Sequence, residues 1–586
     1  MTHMRPYKYT PLASRSIRVL QLWPGTPDSP LICSLAEISL DDPILEYKAL
    51  SYCWGEEHPQ SPLLIASGPH DESPKQQIPI RPNLIAALSQ LRTDTLSCCD
   101  LTSSCHTNDA HDKHAAENSH FTRPNNLWID AICIDQANLD ERSQQVGLMH
   151  EIYTKASSVI AWLGPENEYT VPAFRMVYTF ADLYRDLESD TARRHLATSP
   201  SFLSSWIALG HFFANPWWER MWIVQEVVLA QITTVIMGPW SIPWGCFAQA
   251  AAVALHNALF SKFAEATLPT GEFAHLWPVI SGLHRVHTLG MIRLIVRGLG
   301  VWNGEGRGEV ISLLAIAFNY KATNPRDKVY GILGLLKTMG LTLGVQPRDD
   351  VSVCDVYMHT AEMICQQTGD LMFLEAVENN RMINYARRFD LPSWTPDFAA
   401  PTKLLPVSWA RMAEEATRYR QHWGSYTVNG ERVGCKFNFK EKTITVRGFQ
   451  IDTIQALFDD VADLVADITG YRSSSMLENL SNFYPKRIDD CAMPDEETEK
   501  SLEETLRRVL GPESKERGMW TATGDGVAAN HDRGPKNKLF RTSERGIISH
   551  TPIAACPGDA VCWLIGLGFP CILRRQGSKW IYVGLW

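Results

Sequence analysis

The stretch Leu127-Trp-Ile-Asp-Ala-Ile-Cys-Ile134 is apolar almost without interruption, which is the pattern of a strand covered on both faces of a sheet. A second apolar stretch, Ser158-Val-Ile-Ala-Trp-Leu163, ends at a Gly-Pro pair, and apolar residues recur between the two at helical spacing. Asn138, followed three residues later by Glu141, predicts the start of that helix. A strand, a helix and a strand within about 37 residues form a βαβ unit, so a parallel sheet is predicted here.

Patterns on either side of this unit extend the prediction. Alternating apolar residues before it predict strands over residues 17–23, 30–40 and 47–54. After it, the pair Asn215-Pro216 predicts the start of a helix that covers residues 217–230. Residues 233–237 predict a further strand, so strands and helices alternate through the N-terminal part of the chain.

Composition divides the chain into three predicted regions. The first, residues 1–245, contains the βαβ unit, an inserted loop at about residues 93–125 and a helical insertion at about residues 165–215. The second, residues 246–400, has mainly helical periodicity. The third, residues 401–586, is predicted to be an α+β region that includes a charged linker at about residues 489–518. The expected fold class is α/β, with a parallel sheet flanked by helices, then a mainly helical region and a small C-terminal part containing strands.

Charge and cysteine content exclude several classes of protein. The net charge of −10 argues against a dedicated nucleic-acid binder, whose surface would be basic. The 14 cysteines include no Cys-x-x-Cys pair and are too few for a disulfide scaffold. Residues 1–18 lack the apolar core of a signal peptide, and the apolar run over residues 560–573 is shorter than the roughly 20 residues that cross a bilayer. We therefore expect a cytoplasmic protein without a membrane-spanning segment.

Three short sequences place polar residues inside or at the end of apolar elements: Ala49-Leu-Ser-Tyr-Cys-Trp-Gly55, Leu127-Trp-Ile-Asp-Ala-Ile-Cys-Ile-Asp-Gln136 and Arg220-Met-Trp-Ile-Val-Gln-Glu226. Burial of such residues costs free energy unless something offsets it. Ser51, Asp130 and Asp135 fall at or near strand ends. Sites in open α/β sheets form beyond the carboxyl ends of strands, so these side chains are candidates for a site.

The third sequence puts Trp222, Gln225 and Glu226 on one face of the predicted helix. A tryptophan beside a glutamate can hold the carboxylate in a dry setting, which is typical of functional sites. The alternative is structural, because ion-pair networks also bury carboxylates. In that case Glu226 pairs with Arg220 or Arg142, and the tryptophans belong to the core.

The three sequences, in this order, resemble the marks of the fungal heterokaryon-incompatibility (HET) domain. Those marks are an Ala-Leu-Ser-Tyr-x-Trp-Gly strand, a Trp-Ile-Asp-x-x-Cys-Ile-x-Gln strand and an Arg-x-Trp-x-x-Gln-Glu helix. Asn324-Pro-Arg-Asp-Lys-Val-Tyr330, Leu391-Pro-Ser-Trp-Thr-Pro-Asp397 and Pro557-Gly-Asp559 are similar to sequences in large HET proteins of the incompatibility-protein-6 type. The resemblance spans most of the chain, although residues 399–550 match only loosely.

The HET domain is in turn remotely similar to Toll/interleukin-1 receptor (TIR) domains. Leu50-Ser-Tyr-Cys-Trp-Gly-Glu56 resembles the opening strand and loop of that fold, and Trp222-Ile-Val-Gln-Glu226 matches the Trp-x-x-x-Glu spacing of its NAD-cleaving members. This resemblance implies a flavodoxin-like fold and a catalytic role for Glu226. It also implies substrate-binding roles for Ser51, Tyr52, Trp54, Asp130, Asp135, Arg220, Trp222 and Gln225.

The HET resemblance implies a protein of fungal non-self recognition that triggers regulated cell death. The TIR resemblance implies cleavage of NAD as a substrate, without a bound cofactor or metal. The nicotinamide ring of NAD is cationic while attached and leaves as neutral nicotinamide, and a fixed carboxylate can stabilise the oxocarbenium-like ribose that results. Two alternatives stay open. The HET domain signals by self-association without catalysis, or the C-terminal half binds an unidentified protein partner while the HET domain is inert.

Residues 97–125 carry several cysteines and histidines in a polar stretch, yet no regular spacing organises them as zinc ligands. We predict a surface loop without metal, because its composition cannot bury enough apolar area to order the segment. Elemental analysis of the purified protein should find no stoichiometric zinc. Stoichiometric zinc that disappears when Cys105 and His111 are replaced would contradict this prediction.

Overall fold

A computed structural model describes residues 4–26, 29–55, 58, 61–67, 76–92, 97–98, 126–185, 199–256, 259, 262–263, 277–297, 320–340, 344–368, 371, 373–374, 377, 389–400, 435–446, 448–458, 538–542, 548–551, 554–564 and 571–585. The chain forms two compact units. The first comprises Met1–Gly304, Asn319–Ser352 and Leu405–Val407, and the second comprises Glu305–Phe318, Val353–Leu404 and Ser408–Trp586. The region boundaries expected after residues 245 and 400 stay predictions.

The first unit contains a mixed sheet of eleven described strands. The strands are β1 (Arg5–Pro6), β2 (Ser16–Leu22), β3 (Ile32–Ser39), β4 (Lys48–Tyr52), β5 (Ser61–Ile65), β6 (Gln76–Ile80), β7 (Ser97–Cys98), β8 (Leu127–Trp128), β9 (Ser158–Trp162), β10 (Thr233–Met237) and β11 (Trp240–Pro243). Their order across the sheet is β1-β6-β5-β3-β2-β8-β4-β9-β10-β11-β7. The strands predicted before and after the βαβ unit are therefore confirmed.

The four central strands, β8, β4, β9 and β10, are parallel to one another. If these four strands are numbered 1 to 4 in the order in which they occur along the chain, they lie side by side in the order 2-1-3-4. This is the strand order of flavodoxin-like doubly wound sheets. The order reverses between β4 and β9, and ligands of such folds bind at the carboxyl ends of strands beside that reversal. The predicted parallel sheet is confirmed for this core. The antiparallel pairing of β2 with β3 makes the whole sheet mixed rather than parallel.

Helices surround the sheet of the first unit. They are α1 (Pro82–Leu91), α2 (Asp130–Cys133), α3 (Leu139–Lys155), α4 (Thr170–Arg185), α5 (Leu203–Phe213), α6 (Ile223–Val228), α7 (Trp244–His256), α8 (Trp277–Val296) and α9 (Asp327–Thr338). The predicted start of α3 is confirmed, because the Asn138 side chain accepts a hydrogen bond from the Glu141 amide at 3.2 Å. The α/β class expected from the sequence is therefore the class of the structure.

The apolar stretch at residues 127–134 is not one strand, as predicted, but a two-residue strand followed by the helical turn α2. The turn closes locally: the Ile129 amide donates to Cys133 Sγ at 3.3 Å, and the Gln136 side chain donates to the Asp130 carbonyl at 2.8 Å. Leu127 and Cys133 are both fully buried. A short apolar run satisfies burial equally well as strand or helix, so its periodicity alone could not distinguish the two.

The helix predicted over residues 217–230 is interrupted. A 3₁₀ turn covers Pro216–Glu219, Arg220 is extended, and α6 begins at Ile223. The extended residue pairs with Lys321 in an isolated parallel bridge, in which the Met221 amide donates to the Lys321 carbonyl at 2.8 Å. The interruption thus follows from a tertiary contact about 100 residues away, which local propensity does not report.

The second unit contains helix α10 (Val353–Thr368) and a small antiparallel sheet. The sheet has the order β16-β15-β14-β17-β18-β19, and the hairpin β12-β13 forms a separate two-stranded sheet. Its strands, with those of the hairpin, are β12 (Lys436–Asn438), β13 (Thr443–Thr445), β14 (Gly448–Phe458), β15 (Lys538–Thr542), β16 (Ile548–Thr551), β17 (Ala560–Leu564), β18 (Cys571–Gln576) and β19 (Lys579–Leu585). Asp559 accepts two hydrogen bonds of 2.8 Å from Arg574 beside this sheet. The predicted small C-terminal β part is confirmed.

Two sequence predictions fall mostly on residues that the structure does not describe. Of the inserted loop at about residues 93–125, only Ser97 and Cys98 lie within the described residues, as β7. The charged linker at residues 489–518 lies wholly outside them. Within the described part of the chain, one helical stretch, Pro278–Val296 in α8, has the length and hydropathy of a membrane span. A single such helix is weak evidence for a membrane span, and one third of it is buried in the protein.

Helix α9 approaches α3 and α6 closely because glycines face them. A Cβ atom on Gly334 would lie 2.3 Å from His150 Cβ and 2.5 Å from Gln225 Oε1, and one on Gly331 would lie 2.8 Å from Met221 Cγ. Gly147, in the middle of α3, differs, because a Cβ there would meet no described atom within 4 Å. The two helices are thus packed tightly at one glycine and loosely at the other.

We predict that these two glycines respond in opposite directions to alanine. Gly334→Ala should lower the free energy of unfolding by about 1–3 kcal/mol, because the added methyl group overpacks the contact with α3 and α6. Gly147→Ala should raise it by about 0.5–1 kcal/mol, because alanine is the better helix former and nothing opposes its side chain. Calorimetric melting of both variants checks this. A lower melting temperature for Gly147→Ala would contradict the packing described.

Candidate functional site

Helix α6 brings Glu226 against the carboxyl end of β4, where its carboxylate is almost completely buried (1 % exposed). The Ser51 hydroxyl donates a short hydrogen bond to Glu226 Oε2, and the buried Tyr153 hydroxyl lies near enough for the charge of Glu226 to add to its raised pKa. Arg220 completes the set, with Nη1 3.3 Å from Oε2 and Nη2 3.5 Å from Oε1. We call these four residues the carboxylate cluster. Its members come from β4, α3, the extended linker before α6, and α6.

Trp217 fixes the serine of the carboxylate cluster. Its indole N–H donates to Ser51 Oγ at 2.8 Å, so the hydroxyl both accepts and donates a hydrogen bond. The 3₁₀ turn that carries Trp217 is capped by Asn215, whose side chain accepts from the Trp217 amide at 2.9 Å. The same Asn215 side chain donates to the Leu163 carbonyl at 2.6 Å, just after β9. The turn is therefore tied to both strands at the reversal of the sheet.

Arg220 supplies the positive charge that this buried carboxylate needs. Burial alone would lower the pKa of the guanidinium, but Glu226, Cys53 and Asp130 raise it above its ordinary value. The side chain of Arg220 is about one fifth exposed, whereas that of Glu226 is enclosed. The arginine therefore lies between the carboxylate and the solvent.

Asp130 lies near the carboxylate cluster, at the start of α2. Its Oδ2 accepts a hydrogen bond of 3.0 Å from the Trp54 indole, and its Oδ1 accepts one of 2.7 Å from the Ala131 amide. Burial raises the pKa of Asp130 to about 6, while Arg220 opposes this shift and Glu226 adds to it. The carboxyl groups of Glu226 and Asp130, which have different surroundings, thus both act on Arg220.

Tyr52, the last residue of β4, is buried beside this group (2 % exposed). Burial raises the pKa of its hydroxyl well above the ordinary value, and Asp130 adds to the shift. Ser51, Tyr52, Trp54, Asp130, Arg220 and Glu226, six of the residues singled out in the sequence, therefore lie together at the carboxyl edge of the parallel strands.

Asp135 is not part of that group. Its side chain accepts from the Ala137 amide at 3.1 Å in the turn before α3, and its amide donates to Glu141 Oε1 at 2.8 Å. Glu141 in turn forms a buried ion pair with Arg18. Asp135 therefore belongs to the capping of α3 rather than to the surroundings of Glu226.

Trp222 and Gln225 also lie elsewhere. The Trp222 indole donates to Asp327 Oδ2 at 3.1 Å, and the Gln225 side chain donates to the Tyr330 carbonyl at 3.0 Å, so both contact α9. Burial raises the pKa of Asp327 to about 6, and the hydrogen bond from Trp222 opposes this shift. Trp222 and Glu226 are one helical turn apart, since the Glu226 amide donates to the Trp222 carbonyl at 3.1 Å, but their side chains have different partners, Asp327 and Ser51.

The structure also resolves the two ion pairs considered for Glu226. Its partner is Arg220, whereas Arg142 pairs with Asp349, with Nη2 2.6 Å from Oδ2. Sequence reasoning missed Trp217 and Tyr153 as members of this site. Both were expected only as apolar helix residues. The position of a residue in the sequence does not show what its hydroxyl or indole group lies beside in the fold. Within the described ranges, no cluster of three or more His, Cys, Asp or Glu side chains is arranged to hold a metal ion.

Comparisons with known proteins bear on the stretch that contains the carboxylate cluster. A family model described as heterokaryon incompatibility protein (HET) matches residues 47–226. The chain is also similar to "Heterokaryon incompatibility protein 6, OR allele" of Neurospora crassa, with 26 % identity over 426 residues. That similarity covers 66 % of this chain and 58 % of the relative, so less than two thirds of the relative's length is spanned. No solved structure matches the chain at a significant level.

We predict that Arg220→Met lowers the free energy of unfolding by about 2–3 kcal/mol, because Glu226 is then left buried without its counter-charge. The double variant Arg220→Met with Glu226→Gln should lose less than the sum of the two single losses. Urea denaturation of the three variants measures this coupling. Arg142→Met is the matched control, since it breaks a more exposed pair with Asp349 and should cost about 0–1 kcal/mol. Additive losses would contradict a direct interaction between Arg220 and Glu226.

Proposed function

Because residues 47–226 are a HET domain, as the sequence predicts, we propose that this protein acts in fungal non-self recognition and triggers regulated cell death. The similarity to heterokaryon incompatibility protein 6 of Neurospora crassa supports the first part of this proposal. The domain responds in this view to an encounter with a non-self partner. The described geometry bears on how such a response is produced.

The chemistry that we propose for the domain is cleavage of NAD at Glu226. The observation that carries this proposal is the position of the carboxylate at the carboxyl end of β4, beside the strand-order reversal, where doubly wound folds bind ligands. Cleavage breaks the bond between C1′ of the ribose and the nicotinamide nitrogen, whose electron pair leaves with the neutral nicotinamide. The ribose becomes oxocarbenium-like, and water attacks C1′ and loses a proton to solvent. A fixed negative charge near C1′ stabilises that cation.

The residues of the carboxylate cluster and those around it have distinct roles in this proposal. Glu226 stabilises the developing positive charge on the ribose, and the hydrogen bond from Ser51 holds the carboxylate in place beside the buried Tyr153. Asp130 and Trp54 border the more open side of the cluster. Tyr52 supports this edge from within the core.

Arg220 sets a condition on the reaction. Its guanidinium occupies the side of Glu226 that faces solvent, so a ribose reaches the carboxylate only after the arginine has moved. The two contacts between them are long for charge-assisted hydrogen bonds, at 3.3 and 3.5 Å. The described state is therefore closed, and activity requires a change that draws Arg220 away. Self-association of HET domains is a change that would couple recognition to activity.

A second candidate function is a non-enzymatic signalling module that acts by self-association. The burial of Glu226 favours it, because a carboxylate that is 1 % exposed and bound by Ser51 and Arg220 serves as a structural ion pair without any substrate. The two candidates differ in one measurable respect, which is turnover of NAD by the clustered protein.

We predict that clustered wild-type protein releases nicotinamide from NAD and that Glu226→Gln lowers the rate by roughly a hundred- to a thousandfold. Glutamine keeps the size of the side chain but removes the charge that stabilises the sugar cation. Glu219→Gln is the matched control, because Glu219 lies on the preceding turn and pairs with Lys321 and Arg285 instead. Chromatographic assay of nicotinamide and thermal melting of each variant decide the outcome. Absence of turnover in clustered wild type supports the signalling module, and equal turnover in wild type and Glu226→Gln removes Glu226 from the chemistry.

A further inference from the structure

A cavity of about 840 Å³ lies on the other side of α6 from the carboxylate cluster, within the first unit. Its walls are α3, α9 and residues 344–350, and we call it the α3–α9 groove. The volume falls in the range of sites that bind small molecules or short peptide segments. None of the residues assigned to the carboxylate cluster lines it.

The middle of the α3–α9 groove is apolar, with hydrogen-bonding groups in its floor. Val146, Leu333 and Pro347 line the apolar part. In the floor, Gln225 is 2 % exposed, its side-chain nitrogen donates to the Tyr330 carbonyl, and its amide oxygen lies beside Gly334, which also lines the groove. An N–H group of a ligand can donate to that oxygen.

The ends of the α3–α9 groove carry opposite charges. Asp140, in the first turn of α3, has no cationic partner among the residues that the structure describes. Lys337, in the last turn of α9, donates to His150 Nε2 at 3.1 Å and forms no ion pair within the same ranges, although it lies near enough to Glu151 to help lower the pKa of that carboxyl. Burial lowers the pKa of His150, and Lys337 lowers it further, so the imidazole is the neutral acceptor of this bond. The other charged residues of the lining are used internally, since Asp349 pairs with Arg142 and Arg326, and Asp350 pairs with Arg348.

The two charged ends are separated by about ten residues of α3, from Asp140 to His150, which corresponds to about 15 Å along the helix axis. An extended peptide covers that distance with about four to five residues. A segment with a basic residue at one end, an acidic residue at the other and small apolar residues between them matches both the charges and the apolar middle. Its backbone N–H groups supply the donors that the Gln225 oxygen accepts.

Gly147 is an independent sign that something enters the α3–α9 groove. It lies in the middle of α3, where glycine costs about 0.5–1 kcal/mol relative to alanine. No described atom lies within 4 Å of the position that a Cβ would take, so packing inside the described protein does not demand the glycine. The missing side chain instead leaves room at the wall of the groove.

We propose that the α3–α9 groove binds an extended peptide segment of a partner protein, about four to five residues long and oppositely charged at its two ends. This inference goes beyond the proposed function and is independent of NAD cleavage, because the groove shares no residue with the carboxylate cluster. It gives the HET domain a place at which a partner is recognised. Helix α6 separates the groove from Glu226 and contributes Gln225 to its floor.

The test uses the full-length protein and four fluorescein-labelled peptides in a polarisation assay. Lys-Val-Ala-Leu-Glu and its reverse, Glu-Leu-Ala-Val-Lys, carry opposite charges at their ends and cover both chain directions. Lys-Val-Ala-Leu-Lys and Glu-Val-Ala-Leu-Glu are the controls with like charges. We expect at least one peptide of the first pair to bind about tenfold or more tightly than both controls at low salt.

Two variants connect that binding to the groove. Gly147→Leu should weaken it about tenfold or more by filling the groove, while Gly147→Ala, with the same backbone change but little volume, should keep most of it. Lys337→Glu should transfer the preference to Lys-Val-Ala-Leu-Lys, because both ends of the groove are then negative. Thermal melting confirms that each variant is folded. The proposal is overturned if no peptide binds better than the controls, if Gly147→Leu binds as well as the wild type, or if Lys337→Glu leaves the preference unchanged.

Discussion

The negative charge of Glu226 has to be balanced inside the protein, and much of the first unit is arranged around that requirement. A buried carboxylate without partners costs several kcal/mol, so each group that approaches it is held by a further contact. Ser51 is fixed by Trp217, and Trp217 by the Asn215 cap that also binds the end of β9. Arg220 is extended because its backbone pairs with Lys321. The contacts that balance this one charge therefore connect β4 and β9, the interrupted helix at residues 217–230, and Lys321 about 100 residues further along the chain. Any function that exposes Glu226 has to supply a replacement for Arg220.

A second feature organises the same unit, namely two carboxyl groups that each accept a hydrogen bond from an indole. Trp54 binds Asp130 near the carboxylate cluster, and Trp222 binds Asp327 at the start of α9. In both cases burial raises the pKa of the acid to about 6. Protonation of either acid as the pH falls through about 6 weakens the hydrogen bond that its carboxylate accepts from an indole, so acid conditions act on the contacts at the start of α2 and of α9. The tryptophans of the HET sequences thus serve as hydrogen-bond donors as well as apolar residues.

Local sequence predicted the elements better than it predicted their contacts. The helix α3 was predicted from its Asn138 cap, and the strands β4, β9 and β10 were predicted from apolar runs. Both patterns are contained within a few neighbouring residues. The run at residues 127–134 was misread since burial does not distinguish a strand from a helical turn. The partners of Trp222 and Gln225 could not be foreseen, because Asp327 and Tyr330 lie about 100 residues away and no local pattern connects them. For the same reason Glu226 was identified as unusual, while its buried neighbour Tyr153 was taken for an ordinary apolar helix residue.

The distance along the chain between α6 and α9 has a consequence for biosynthesis. On the ribosome, Trp222 and Gln225 are made roughly 100 residues before Asp327 and Tyr330, an interval of about 5–20 s at ordinary rates of translation. For most of that interval, once β10 and β11 have been made, the nascent chain has the sheet strands and α6 but not the helix that binds α6. Lys321, which pairs with the extended Arg220, is also still missing. The newly synthesised chain therefore cannot form the contacts between α6 and α9 until translation has passed α9, so chaperones that bind the nascent chain would meet an α6 without its final partners.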